Sequence, residues 1–104
     1  MGRQYTAMKL HQENLAYAGT GGVSQNNRRA RFLAAFQDTA TGRVEIARFE
    51  NGKPATMHIF NGLPDEWILQ RDKHGHPLAL LETIQAGFVR ESTFYTREEA
   101  AALV

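Results

Sequence analysis

The sequence predicts an α+β domain: an antiparallel sheet of four to five strands with short helices near residues 6–18, 64–72 and 96–103. Three observations point there. Residues 31–60 hold three short apolar-rich runs, Arg31 to Gln37, Arg43 to Phe49 and Ala55 to Phe60, separated by turn residues; this is the pattern of a meander. Residues 78–91 form another tract rich in strand formers. Pro64-Asp65-Glu66 and Thr96-Arg97-Glu98-Glu99 carry helix-start chemistry, a proline at the first helical position with acids in the first turn, and a capping box.

Taken in order, Thr6 to Ala18 reads as a helix in which Met8, Leu15 and Ala18 share one face, with Leu10 and Tyr17 beside them. Thr6 is placed to cap its start and Gly19 its end. Residues 19–30, rich in Gly, Asn and Arg, read as a flexible connection. In the first meander strand Phe32, Ala34 and Phe36 alternate on one face, with Leu33 and Ala35 on the other. Val44 and Ile46 share a face of the second strand. In the third, Met57 and Ile59 oppose Thr56, His58 and Phe60. Gly42 and Gly52 are expected to supply positive φ in the two turns, with Asn51-Gly52 the strongest hairpin signal. Apolar groups on both strand faces require a cover on each, from helices or from a partner chain. The segment 64–72 is expected to be helical up to the Asp72-to-Pro77 stop. Residues 78–91 are then two strands or one bent strand, with Gly87 at a bulge or bend.

A chain of 104 residues has room for one small domain with one modest core. Hydrophobic residues make up 42% and charged residues 22%, which excludes global disorder. The net charge of +1 gives no general pull toward nucleic acid or acidic membranes. Charge is nevertheless uneven: residues 1–53 carry eight Lys/Arg against four Asp/Glu, and residues 54–104 four against seven. The absence of cysteine excludes disulfides, thiolate nucleophiles and Cys-ligated zinc. No apolar run approaches the roughly 20 residues that span a bilayer, and the start of the sequence lacks the apolar core of a secretory signal. A soluble cytoplasmic protein without membrane association is expected.

For chemistry, the basic cluster Arg28, Arg29 and Arg31, beside Ser24 and Asn27, is the leading binding feature. Guanidinium forks match phosphates and carboxylates, and a flexible glycine-rich neighbour could fold over a nucleic-acid backbone or an anionic ligand. No helix-turn-helix, RNP or zinc-finger pattern accompanies it. The plain alternative is a solvated turn leading into a charge-guarded edge strand. The glycine loop at 19–24 lacks the Gly-Lys-Ser/Thr of a phosphate loop. His74 and His76, two residues apart, are metal candidates together with His58. They lie around a turn, however, and the spacing brings no third ligand in sequence, so no metal is assigned. Ser24 has no nucleophile-elbow context, and Arg90-Glu91 and Arg97-Glu98 read as surface charges. No convergent catalytic constellation and no cofactor motif emerges.

What remains is a surplus of large apolar groups, including Trp67, Ile68, Leu69, Phe88, Phe94 and Tyr95. They form either the core beneath the helices or an association surface. The resulting expectation is a small non-enzymatic binding or protein-interaction module acting on a protein partner or as a homodimer. Nucleic-acid or anionic-ligand binding through Gly19 to Arg31 is the alternative. A metal-dependent enzyme using the three histidines stands behind both.

Overall fold

The computed structural model describes residues 4–23, 27 and 30–103. Its elements run β1 (Gln4–Thr6), α1 (Ala7–Ala16), β2 (Leu33–Asp38), β3 (Val44–Ile46), β4 (Ile68–Arg71), β5 (Pro77–Leu81), β6 (Ile84–Arg90), β7 (Thr93–Thr96) and α2 (Arg97–Leu103). They form two antiparallel sheets, one of three strands ordered β1-β5-β4 and one of four ordered β3-β2-β6-β7. The α+β class is therefore correct. The strands are divided between two sheets instead of forming one.

Local chemistry explains the elements. The Thr6 hydroxyl accepts from the Lys9 amide at 3.1 Å and caps α1. The Thr96 hydroxyl accepts from the Glu99 amide while the Glu99 carboxylate accepts from the Thr96 amide, completing the capping box of α2. Gly42 and Gly52 adopt φ 81 and 86 in the two turns, as their positions require. The tract at 78–91 is two strands, β5 and β6.

Several sequence expectations are corrected. The segment 64–72 is not a helix: Asp65–Trp67 makes one 3-10 turn and the chain then extends as β4. Asp72 accounts for this. Its carboxylate accepts from the amides of His74 and His76 at 2.8 and 2.9 Å, and its own amide reaches the His76 carbonyl. That turn folds Ile68–Arg71 back against β5, and the hairpin outcompetes a helix with too few residues to continue. The meander's third run does not form a strand either: a single bridge joins Arg48 and Pro54 just before it, and its Ala55 amide reaches the Ala47 carbonyl. Ala55, His58 and Phe60 are instead drawn into the core, leaving Met57 exposed.

The third correction concerns α1. Met8 and Leu15 point to solvent, 72% and 63% exposed, and the buried helix residue is Leu10. Its inner face is Leu10, Glu13, Asn14 and Tyr17, the i, i+3, i+4, i+7 stripe of an amphipathic helix filled mostly by polar side chains.

The core lies between the two sheets. Tyr5, Leu80 and Ile68 from the three-stranded sheet meet Phe36, Ala34, Ile84 and Ala86 from the four-stranded one. Trp67, Phe60 and Leu63 fill the space between them. Phe36 and Phe88 are fully buried, and each such ring contributes about 2–3 kcal/mol from burial alone. A smaller cluster of Phe32, Phe88 and Ala100 seats α2 on the same face of β2 and β6. Gly87 holds no bulge: the register through β2, β6 and β7 is continuous across it. A Cβ there would collide with the Phe94 ring and the Tyr95 carbonyl. Close backbone approach explains this glycine. Gly87→Ala is expected to lower stability by about 2–4 kcal/mol, read as a fall in the urea midpoint; a midpoint near that of the parent chain would show the Phe94 ring to be freely displaceable.

Candidate interaction surface

Arg97 is the residue that sequence reasoning placed most wrongly. It is 4% exposed, not a surface charge. Its guanidinium donates to the Gly22 carbonyl at 2.9 Å, to Asn14 Oδ1 at 2.5 Å and to His58 Nδ1 at 3.3 Å. The Tyr17 ring lies 5.9 Å away. Nε finds no partner among the described residues, and no carboxylate lies within ion-pair distance of Arg97 among them. Glu13 supplies the compensating field nearby while accepting a short hydrogen bond from the Tyr5 hydroxyl. Burial lowers the Arg97 pKa and raises that of Tyr5.

His58 is the inward end of this network. Its imidazole is flanked edge-on by Phe36 and Phe88, with centroids 5.3 and 5.0 Å away. Nε2 lies 2.7 Å from the Gly87 carbonyl, so Nε2 carries the proton and donates, leaving Nδ1 to accept from Arg97. Burial first, and then the Arg97 charge, lowers the His58 pKa to about 3. Both nitrogens are engaged, and the ring is enclosed. His74 and His76 sit instead in the exposed turn around Asp72, with ring centroids 6.2 Å apart. The structure does not unite the three histidines, and no group of three His/Cys/Asp/Glu side chains suited to a metal occurs among the described residues.

The other sequence candidates separate similarly. Ser24, Arg28 and Arg29 lie outside the described residues. Asn27 is fully buried; its amide donates to the Gly21 carbonyl at 2.8 Å, and its Oδ1 has no partner among the described residues. In the glycine loop, carbonyls point inward to Asn27 and Arg97 in place of amides pointing out to an anion. Gly22 is required there, because a Cβ would lie 2.5 Å from the Tyr17 ring. Arg31 is exposed, has φ 65, and stands at the start of β2.

A cleft of about 270 Å³ opens over the network between Glu13, Tyr17, Gln85, Thr96 and Glu98. Its floor is the enclosed Arg97, which leaves a visitor little cation to meet.

The other side of the four-stranded sheet is more informative. Residues paired in register share a face. Leu33, Val89 and Phe94 form one row; Ile46, Ala35, Gly87 and Thr96 a second; Val44, Gln37 and Gln85 a third. None of the ten is charged. Gln85 donates to Gln37 across the strands at 3.1 Å. Leu33 is 44% exposed, and Val44, Ile46, Val89 and Phe94 are half-buried. Neither core cluster includes any of these five. Both helices and the three-stranded sheet pack on the opposite face, through Phe36, Ala86 and Phe88. The four-stranded sheet thus presents an uncharged, largely apolar face that neither core cluster reaches; Ala35 and Gly87 at its centre are buried, and its large apolar side chains remain partly exposed. Several large residues that seemed surplus in sequence are core: Trp67 is 2% exposed and Phe88 fully buried.

No family model, curated protein or solved structure matches the chain. No helix among the described residues is long and apolar enough to cross a membrane.

The His58 arrangement makes stability depend on pH with a definite sign. The folded-state pKa lies near 3, below the ordinary 6.5. The unfolded chain therefore binds the proton more readily between these values. The contribution is complete above about pH 6.5 and is lost as pH falls toward 3, with a total on the order of a few kcal/mol. His58→Gln keeps a donor for Gly87 and an acceptor for Arg97 but cannot titrate. Thermal melts between pH 7 and pH 4 are expected to fall more steeply for the parent chain than for His58→Gln; parallel slopes would show that His58 is not the group responsible.

Proposed function

We propose that this protein is a non-enzymatic interaction module that associates with a second copy of itself through the open face of its four-stranded sheet. The observation that supports this reading is the absence of charge among the ten residues of that face, which includes five half-exposed or half-buried large apolar side chains. A sheet that is apolar on both sides is stable in water only when both sides are covered. Two copies of an uncharged face meet without like-charge repulsion, and face-to-face sheet packing about 10 Å apart is a standard arrangement. An isologous contact also places each copy's Phe94 and Ile46 against the same surface of the other.

Size sets the expected strength. Four strands about 4.8 Å apart, with three rows of side chains, give a face of roughly 400 Å². A standard stable interface takes about 800 Å² from each partner. The association is therefore expected to be weak and reversible.

Sedimentation velocity across the micromolar range is expected to show a concentration-dependent shift from monomer to dimer. Ile46→Asp and Val89→Asp should each abolish it, since each would bury a charge at the contact. Leu69→Asp, at an exposed position on the other sheet, should leave it unchanged. A parent chain that stays monomeric throughout, or a dimer indifferent to Ile46→Asp, overturns the reading.

A further inference from the structure

Beside the beginning of β2 the sheet is incomplete. β3 pairs with β2 only from Ala35 to Gln37, and one further bond joins the Ala47 amide to the Ala34 carbonyl at 2.9 Å. The chain then leaves the edge, since the Phe49 amide bonds to Lys53 within its own turn. The vacated position is a groove of about 330 Å³ between Arg31, Leu33 and Ala34 on one side and Pro54, Ala55 and Thr56 on the other. Hydrogen bonds alternate along an antiparallel strand. With Ala34 bonded to Ala47, Phe32 is the next residue whose backbone amide and carbonyl face this edge. The Phe32 side chain is turned away into the core. The groove therefore offers backbone groups on an apolar floor.

Its charge is one-sided. Arg31 is the only charged residue in the described lining, and it is exposed at the mouth. Lys53 adjoins Pro54, and Arg48 bridges to it. No acid is among the described residues that line the groove. The requirements for an occupant are few: a free strand edge to match, small apolar side chains, and a carboxylate.

We propose that this groove binds a short extended peptide, adding it as a strand beside Phe32, with apolar side chains against Leu33 and Ala55 and a carboxylate on Arg31. This is strand addition, in which main-chain bonds give affinity and alternate side chains give selectivity. The carboxylate is either a chain terminus or an Asp/Glu side chain, the chemistry at Arg31 being the same. The site is distinct from the self-association face, with which it shares only Leu33.

The test uses fluorescence anisotropy with short labelled peptides of alternating Val and Ser, in three forms: a free C-terminal carboxylate, an amidated end, and an amidated end with one internal Glu. Saturable binding of at least one carboxylate-bearing form is expected, weaker by about tenfold or more for the amidated peptide without Glu. The form that binds identifies the source of the carboxylate. Arg31→Glu and Thr56→Glu change exposed side chains and should each weaken binding to a similar extent. Ile46→Asp, which removes self-association, should leave peptide binding intact, so the two readings fail separately. No saturable binding, equal affinity for all three peptides, or affinity unaffected by Arg31→Glu and Thr56→Glu overturns the proposal.

Discussion

A guanidinium stays charged at any pH the protein meets, so an arginine taken out of water must bring its partners with it. The arrangement around Arg97 follows from that constraint. Asn14 on α1, the Gly22 carbonyl and the core imidazole of His58 all converge on this one side chain, which starts α2. These partners come from segments separated by 39 to 83 residues in sequence. It explains why the inner stripe of α1 is polar. It also explains why a histidine can sit among phenylalanines in the core. None of these features makes sense alone; each answers a donor of the same cation.

The neutral state of His58 is part of the same arrangement. A protonated imidazole would lose its acceptor nitrogen and set a second positive charge against the guanidinium, in a place with little water to separate them. The Gly87 carbonyl fixes the tautomer from the other side. Gly87 in turn is held by the Phe94 ring on the far face of the sheet. Contacts therefore run from the buried cation, through a backbone carbonyl, to the uncharged outer face of the sheet.

Much of the local structure was legible in the sequence because it is set by neighbours along the chain. Thr6 and Thr96 cap helices with their own next residues, Gly42 and Gly52 turn the chain where hairpins need positive φ, and Phe32, Ala34 and Phe36 alternate inward as a strand should. What was not legible depends on distant partners. Arg97-Glu98 resembles any charged surface pair until the carbonyl of Gly22 and the imidazole of His58 are brought beside it. The stripe Leu10, Glu13, Asn14, Tyr17 has helical spacing, but hydrophobicity patterns do not register a polar inner face. The short strands β1 and β7 are specified by their pairing partners more than by their own few residues. The apolar character of both faces of β2 could be read directly; which face the helices would leave open could not. The basic cluster was reduced, among described residues, to Arg31 at the margin of a groove.

The reach of the Arg97 contacts also bears on the order of events in folding. Closing loops of such length costs more chain entropy than forming a hairpin or a helical turn. The β4–β5 and β6–β7 hairpins can assemble from adjacent residues, whereas α1 places only Leu10 in the core. α1 is tied to the three-stranded sheet by the Tyr5–Glu13 hydrogen bond and to α2 by the guanidinium. The first helix of this chain is thus made durable in part by a residue from the last helix.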